Sequence, residues 1–442
     1  MNFELLKEAI IKRAAELGVT DYEIYYESSS KSSAETLGHE ISALNSSEAG
    51  GICFRCSVDG KMGYASTQLM EITEAEELVE RALENGRYTE KDDNVGIFEG
   101  SPEYVRPNVN EFKALSPEEL KSVALSVQKA TYGADRRVVD GTQSQVESIS
   151  ETVRIVNSHG LDLSNSVGIN VVFAEAVVED GGEHQNDYII KEYGKMSDCE
   201  LAKTVVEGAL SKIGADSVTT GKYNIVFDAV QMRTILGVFT GAFSAKTAQA
   251  GMSRLAGKEG EKIAADFVNI TDDPMRDGTP MQAYFDAEGV AAFRKDVVRD
   301  GVLVTLLHNR ETASKAGCVT TGNASKVSYS SPIDVKPHTF CIEAGDYSED
   351  ELLKLADHGI YINEVKGLHA GANPVTGDFS IESAGFLIEN GIKTVPVKSF
   401  TVAGNFFELL RDISALSDKV DIGFSGIGAP AVLVKNMSVA GK

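Results

Sequence analysis

Residues 384 to 402 read AGFLIENGIKTVPVKSFTV. Two runs of alternating apolar and polar residues flank Asn390-Gly391, a dipeptide that supplies the two positive-φ positions of a two-residue hairpin turn. This stretch sets the class of the C-terminal half as antiparallel β. Upstream, YNIVF at 223 to 227 reads as an apolar strand and a helix follows near 229 to 245, with mainly strands beyond it. Residues 221–442 are therefore expected to form a β-rich domain. The small, polar stretch GADSVTTGKYN, 214 to 224, marks the boundary before it.

Residues 1–215 read as an N-terminal, mostly antiparallel α+β domain, so the fold class is α+β with two domains. One pattern occurs twice in it, in halves 1–86 and 116–215, which suggests a duplication. In the first half an amphipathic helix over 3–17 places Leu5, Leu6, Ala9, Ile10 and Leu17 on one face. Short strands follow in DYEIYYE, SAETLGHEISAL, GGICFRCSV and MGYAST, then a helix from 73 with Thr73 and Glu76 as its capping box. After a loop over 87–115 the second half begins at SPEELKSVALSVQKA. Ser116 caps, Pro117 takes the first helical position and Glu119 completes the box. Strands are expected at about 143–147, 150–157 and 162–178, and a helix over 198–214.

The 442 residues include 42 basic and 66 acidic side chains, a net charge of −24, with no basic stripe. Phosphate backbones should repel such a chain, so no direct nucleic-acid partner is expected. No apolar run reaches the roughly eighteen residues that would span a bilayer, so no membrane role is expected. Glu4, Lys7, Glu8, Lys12 and Arg13 interrupt any signal-peptide core. Five cysteines without a signal point to a reducing cytoplasm and no disulfides, and the sequons at Asn269 and Asn323 would matter only in a secreted chain.

Several motifs invite chemistry. Cys53 and Cys56 have CxxC spacing, but on a strand residues three apart face opposite ways and cannot share a metal. His39-Glu40 begins an HExxH-like stretch in which Ala43 and Leu44 stand where a second histidine is needed. GIGAPA at 426 to 431 fits the dinucleotide fingerprint in form only, with a proline inside it and no room for the helix and acid that should follow. There is no P-loop and no GxSxG elbow. The stretch GLHAGANPVTGDFS, 367 to 380, gathers His369, Asp378 and Ser380, the residue types of a nucleophilic triad, among turn-forming Gly371, Asn373, Pro374 and Gly377. An independent, metal-free hydrolase built on those three residues is one reading; a turn is the other.

The same loop, extended through NPVTGDFSIESAGFLIENG at 373 to 391 and TVAGN at 401 to 405, resembles the TldD/PmbA family, whose members are often called modulators of DNA gyrase. FDAEGV at 285 to 290, TTGNA at 320 to 324 and GKMGYAST at 60 to 67 strengthen the resemblance, which covers nearly the whole chain. The family has two branches that pair. The TldD-like branch implies a zinc protease with two histidines of an HExxxH motif, a glutamate that activates water, and a cysteine near the C-terminus. Setting ILGVFTGAFS, 235 to 244, against that motif puts Gly237 and Ala242 at the histidine positions and Val238 at the glutamate. Pro430 falls at or beside the cysteine position.

None of these side chains can ligate zinc or take a proton from water. The resemblance therefore implies a PmbA/TldE-like, non-catalytic subunit that binds no cofactor of its own. Its expected partner is a TldD-like zinc subunit, and unfolded or extended peptides enter the cavity the two enclose. A homodimer in isolation and a gyrase-associated regulator are further expectations the family carries. His369, Asn373, Thr376 and Asp378 are the candidate peptide or partner contacts.

Overall fold

The computed structural model of the chain describes residues 3–92, 94–107, 112–279 and 281–442, so part of the 87–115 loop lies outside the described residues. The N-terminal region runs α1 (Phe3–Glu16), β1 (Tyr22–Leu37), β2 (Glu40–Val58), β3 (Lys61–Thr67) and α2 (Ile72–Tyr88). The same series then recurs as α3 (Pro117–Ala134), β4 (Gln143–Asn157), β5 (Asp162–Asp180), β6 (Glu183–Glu192) and α4 (Asp198–Ser211). All six strands join in one antiparallel sheet of order β3-β2-β1-β4-β5-β6, in which the first strand of each series pairs with the other at the centre.

The strands are longer than sequence suggests. SSSKSS at 28 to 33 looks like a linker by propensity, yet it is the middle of β1, with ladders to β2 on one side and β4 on the other. Pairing on both edges holds residues that would not choose a strand alone. Hydroxyls also meet across strands, Ser32 with Ser46 at 3.1 Å and Thr152 with Ser166 at 2.9 Å. The four helices lie on one face in two pairs: α1 and α2 over Ile24, Ile52 and Phe54, α3 and α4 over Ala34, Val146 and Val172. Between the pairs an open groove of about 770 Å³ runs over Ser28, Ser30, Ser150 and Thr152.

Three local expectations change. The buried stripe of α1 is Phe3, Leu6, Ile10 and Ala14, a clean i, i+3/i+4 series, while Leu5 and Leu17 are exposed. Helix α2 starts at Ile72 with Glu71 in the cap position and no side-chain cap, so Thr73 lies inside the first turn and cannot cap. The strands expected at 143–147 and 150–157 are one, β4. The capping box of Ser116 and Glu119 forms as read, with Pro117 first in α3.

Downstream, β7 (Gly221–Phe227) leads into α5 (Ala229–Phe239), a 3₁₀ turn over Thr240–Phe243 and the short α6 (Ala245–Gln249). Short strands follow: β8 (Ile270–Asp272), β9 (Lys295–Arg299) and β10 (Val302–Leu303), then α7 (Arg310–Ala316), β11 (Ala324–Ser325), β12 (Asp334–Val335), β13 (Phe340–Ile342) and α8 (Glu349–Ala356). Long elements close the chain: β14 (Gly359–Lys366), α9 (Leu368–Gly371), β15 (Asp378–Glu389), β16 (Ile392–Asn405), α10 (Phe406–Asp412), β17 (Ile413–Ile422) and β18 (Ile427–Ala440). The β15–β16 hairpin turns on Asn390 and Gly391 at φ +53° and +73°, as the sequence requires. Because β18 pairs with both β16 and β7, the strands β7, β14, β15, β16 and β18 form a closed ring of pairings. In the core packed on these strands Phe239 stacks on Phe406 with centroids 4.5 Å apart. Among the described residues no helix is long and apolar enough to cross a membrane.

The other face of the N-terminal sheet meets this β-rich region. Tyr25, Cys53 and Ile155 share a buried cluster there with Tyr284 and Phe285. Cys53 thus faces the β-rich region while Cys56 lies in the helix-covered core, the opposed arrangement a CxxC on a strand must have. Gly426 turns the chain into β18, so GIGAPA continues as a strand and forms no nucleotide loop.

Candidate functional site

Helix α5 is where the family resemblance locates metal chemistry, and its start is well defined. Asp228 caps it, its Oδ1 accepting the Gln231 N–H at 2.6 Å, and burial pushes the carboxyl up to about 7. Met232, Ile235, Leu236 and Phe239 anchor the helix in the core. Gly237 and Val238 sit in its last turn, half-buried; a Cβ at 237 would meet open space, and Val238 leans on the core. Ala242 is buried in the 3₁₀ turn, and Pro430 lies buried in β18 opposite Val420 of β17. Hydrogen, isopropyl, methyl and pyrrolidine groups offer zinc no lone pair, so these four residues do not fit a zinc ion. Among the described residues no group of three or more His, Cys, Asp and Glu side chains is placed to hold a metal.

The glycine-rich loop is a turn with its polar atoms already in use. Asn373 Oδ1 accepts the N–H groups of Val375 at 3.0 Å and Thr376 at 3.2 Å, and Thr376 Oγ1 accepts that of Asp378 at 3.3 Å. Asn405, buried at the end of β16, donates to the Thr376 carbonyl at 2.9 Å and to Asp378 Oδ1 at 2.8 Å. Hydrogen bonds from Asn405 and Thr376 hold the Asp378 carboxyl below its usual value. Gly377, at φ +83°, lies where a Cβ would be 2.5 Å from the Phe407 ring, so only glycine serves. His369 is exposed and makes no hydrogen bond among the described residues, and Ser380 points outward from β15. His369, Asp378 and Ser380 are not linked to one another, so no triad is assembled.

FDAEGV and TTGNA brace the β-rich region where it meets the N-terminal sheet. Asp286 accepts the N–H groups of Glu288, Val290 and Ala324 at 2.9 to 3.0 Å, and burial together with the Glu288 carboxylate raises its pKa. Asn323 donates to Asp272 at 2.7 Å, and Lys295 bridges both. Facing them on the N-terminal sheet, Arg55 and Glu23 form a buried bidentate pair at 2.7 and 3.0 Å. In the sequence alone these motifs carry the family resemblance and no role.

Beside α5 opens a cleft of about 390 Å³ between the regions. Ile190, Lys191 and Glu192 come from the end of β6 and Lys195 from just beyond it, Gly278 and Thr279 from a loop, and 421 to 425 from the end of β17 and the turn into β18. Arg233 projects into it from α5, one helical turn before Gly237. Its Nε donates to Asp421 Oδ1 at 2.6 Å, and the other oxygen of Asp421 lies 3.6 Å from Lys191 Nζ. No sequence signal joins these residues, because they come from four separate segments.

Three family models match the chain in order: PmbA/TldA metallopeptidase domain 1 over residues 22–86, the central domain over 110–213 and the C-terminal domain over 220–441. The chain belongs to the TldD/PmbA family. Metalloprotease PmbA of Escherichia coli O157:H7 is 25% identical over 389 residues, covering 86% of this chain and 84% of its own. A solved putative modulator of a DNA gyrase from Thermotoga maritima matches with a TM-score of 0.89 at 30% identity, covering 99% of this chain and 100% of its own. TldE from Thermococcus kodakarensis shares the fold, with a TM-score of 0.87 at 24% identity over 98% of this chain and 100% of its own. The two central and N-terminal matches of this TldD/PmbA chain fall on its two αβββα series, and the third falls on the β-rich region with α5.

Proposed function

We propose that this chain is the PmbA/TldE-type subunit of a cytoplasmic, two-chain metalloprotease, contributing wall and peptide contacts while a TldD-like partner holds the zinc. One observation carries the reading: in a chain of a metallopeptidase family, the four positions assigned to metal chemistry are Gly237, Val238, Ala242 and Pro430, none with a donor atom. Its substrates would be unfolded or extended peptides. An enclosed space between two subunits excludes folded proteins and can order an extended chain through its main-chain groups. No step of hydrolysis is assigned to a residue of this chain, and no nucleic acid or membrane contact belongs to the proposal.

The test is cleavage of an unstructured fluorogenic peptide by this chain alone, by a TldD-like subunit from the same cell alone, and by the two mixed. The proposal expects a silent lone chain and a gain of cleavage on mixing, with one zinc per heterodimer. Cleavage by the lone chain contradicts it, and so does a mixture no more active than its TldD-like component. A gyrase-associated regulator is a second reading, favoured only by the names of solved relatives such as the Thermotoga protein. With a net charge of −24 such a regulator would meet a basic protein surface, not DNA. Co-purification with gyrase subunits at low salt tests it, and their absence removes it.

A further inference from the structure

We infer that the cleft beside α5 is an anion site that takes the terminal carboxylate of an extended peptide, with Arg233 as its main ligand. The inference rests on the reading of this chain as a peptide-handling subunit and names the group that is held. Arg233 uses only Nε to reach Asp421; Nη1 and Nη2 make no hydrogen bond among the described residues. Those two nitrogens form the edge of the guanidinium whose parallel N–H groups match a carboxylate in bidentate fashion.

The charge balance favours an added anion. Asp421 is shared between Arg233 at 2.6 Å and Lys191 at 3.6 Å, and Lys195 lies 3.8 Å from Glu192. Three cations thus face two carboxylates within one cleft of a chain whose net charge is −24. The surplus is a single positive charge, and it lies at Arg233, where an added anion would meet it at short range. A free carboxylate against Nη1 and Nη2 would close the count.

Shape and polarity add to this. Ile190 and Phe424 line the same cleft at 43% and 38% exposure, giving an apolar surface for the side chains next to the carboxylate. The volume falls within the roughly 300–1,000 Å³ of small-ligand pockets. Gly423 leaves room for the guanidinium: a Cβ there would lie 2.4 Å from Arg233 Nη1, while its own φ is not in the left-handed region. An alanine at 423 is therefore compatible with the backbone and would displace the guanidinium without removing its charge.

The experiment measures binding of an N-terminally labelled, unstructured decapeptide to the full chain, by fluorescence anisotropy, with the C-terminus free or amidated. The free acid should bind roughly tenfold tighter than the amide, as one charge-assisted bidentate contact would give. Arg233→Gln should bring that ratio close to one, with Gly423→Ala and Arg233→Lys falling between, and melting temperature checks that each variant is folded. Inorganic phosphate serves as competitor to separate the two sources of anion.

Equal binding of acid and amide to the wild-type chain, no binding of either, or a ratio that survives Arg233→Gln overturns the inference. Displacement by micromolar phosphate without any preference for the free acid overturns it also, assigning the cleft to phosphate. A lone chain that cleaves peptide would overturn the subunit proposal and leave this ratio readable. Loss of the ratio would leave the subunit proposal standing.

Discussion

The glycine-rich loop at 367–380 and the cleft beside α5 are both polar, and they differ in what their polar atoms are doing. In the loop, the side chains of Asn373, Thr376, Asp378 and Asn405 satisfy one another and the backbone. In the cleft, the guanidinium of Arg233 keeps two nitrogens uncommitted and three cations share two carboxylates. A cluster of chemically rich residue types is therefore weak guidance to function. Charged donors left uncommitted at a cleft are better guidance, because a ligand can meet them without breaking a contact inside the protein.

The largest expected effect concerns Asp228, at the foot of the helix that carries Arg233. Its carboxyl is raised in the folded chain to about 7, so on raising pH the unfolded state loses its proton first. The stabilising effect of the neutral form is complete below the ordinary carboxylate value near 4 and is lost as pH rises through 7. A shift of this size corresponds to at most about 4 kcal/mol. Asp228→Asn keeps the capping oxygen and removes the titration. Urea unfolding of the two proteins should agree near pH 4 and separate by pH 8 with the variant more stable; parallel curves would show that Asp228 is ionised throughout.

Next comes the loop. Asn405→Ala removes two donor contacts and the acceptor of the Phe407 N–H at the start of α10, and should cost about 2 kcal/mol in urea unfolding. A cost near zero would mean the loop is held by something other than this network. Arg233→Gln should change stability by less than about 1 kcal/mol, since Arg233 and Asp421 are both partly exposed and Lys191 remains beside Asp421. A larger loss would make the pair a structural tie between regions and weaken the contrast with the loop. Smallest of all, His369→Ala should stay within about 0.5 kcal/mol and leave cleavage by the mixed subunits unchanged. A large fall in that cleavage would make His369 one of the peptide or partner contacts that the family resemblance suggests.

What the sequence made legible was local. The Asn390-Gly391 hairpin and the Ser116-Pro117-Glu119 helix start need only neighbours within a few residues, and both formed as read. The serine runs of β1 and β2 did not read as strand because their conformation is imposed by long ladders on both sides. Thr73 misled because a capping box matched two residues inside the true cap position of α2. Leu5 and Leu17 misled because apolar residues also lie outside the buried stripe. For the site, the lack of donors at 237, 238, 242 and 430 was readable, but only once the family resemblance supplied positions to examine. The cleft was not readable at all, since Arg233, Thr279 and Gly423 meet only through the fold of the β-rich region and Lys191 joins them only where the N-terminal sheet docks on it.

The most direct test of the central claim is the zinc content of the lone chain, purified without chelator and passed through gel filtration, with its melting temperature measured before and after chelator. Far less than one zinc per chain and an unchanged melting temperature are the predicted results. One zinc per chain that chelator removes, with a fall in melting temperature, would contradict the account and place a metal site where Gly237, Val238, Ala242 and Pro430 offer none.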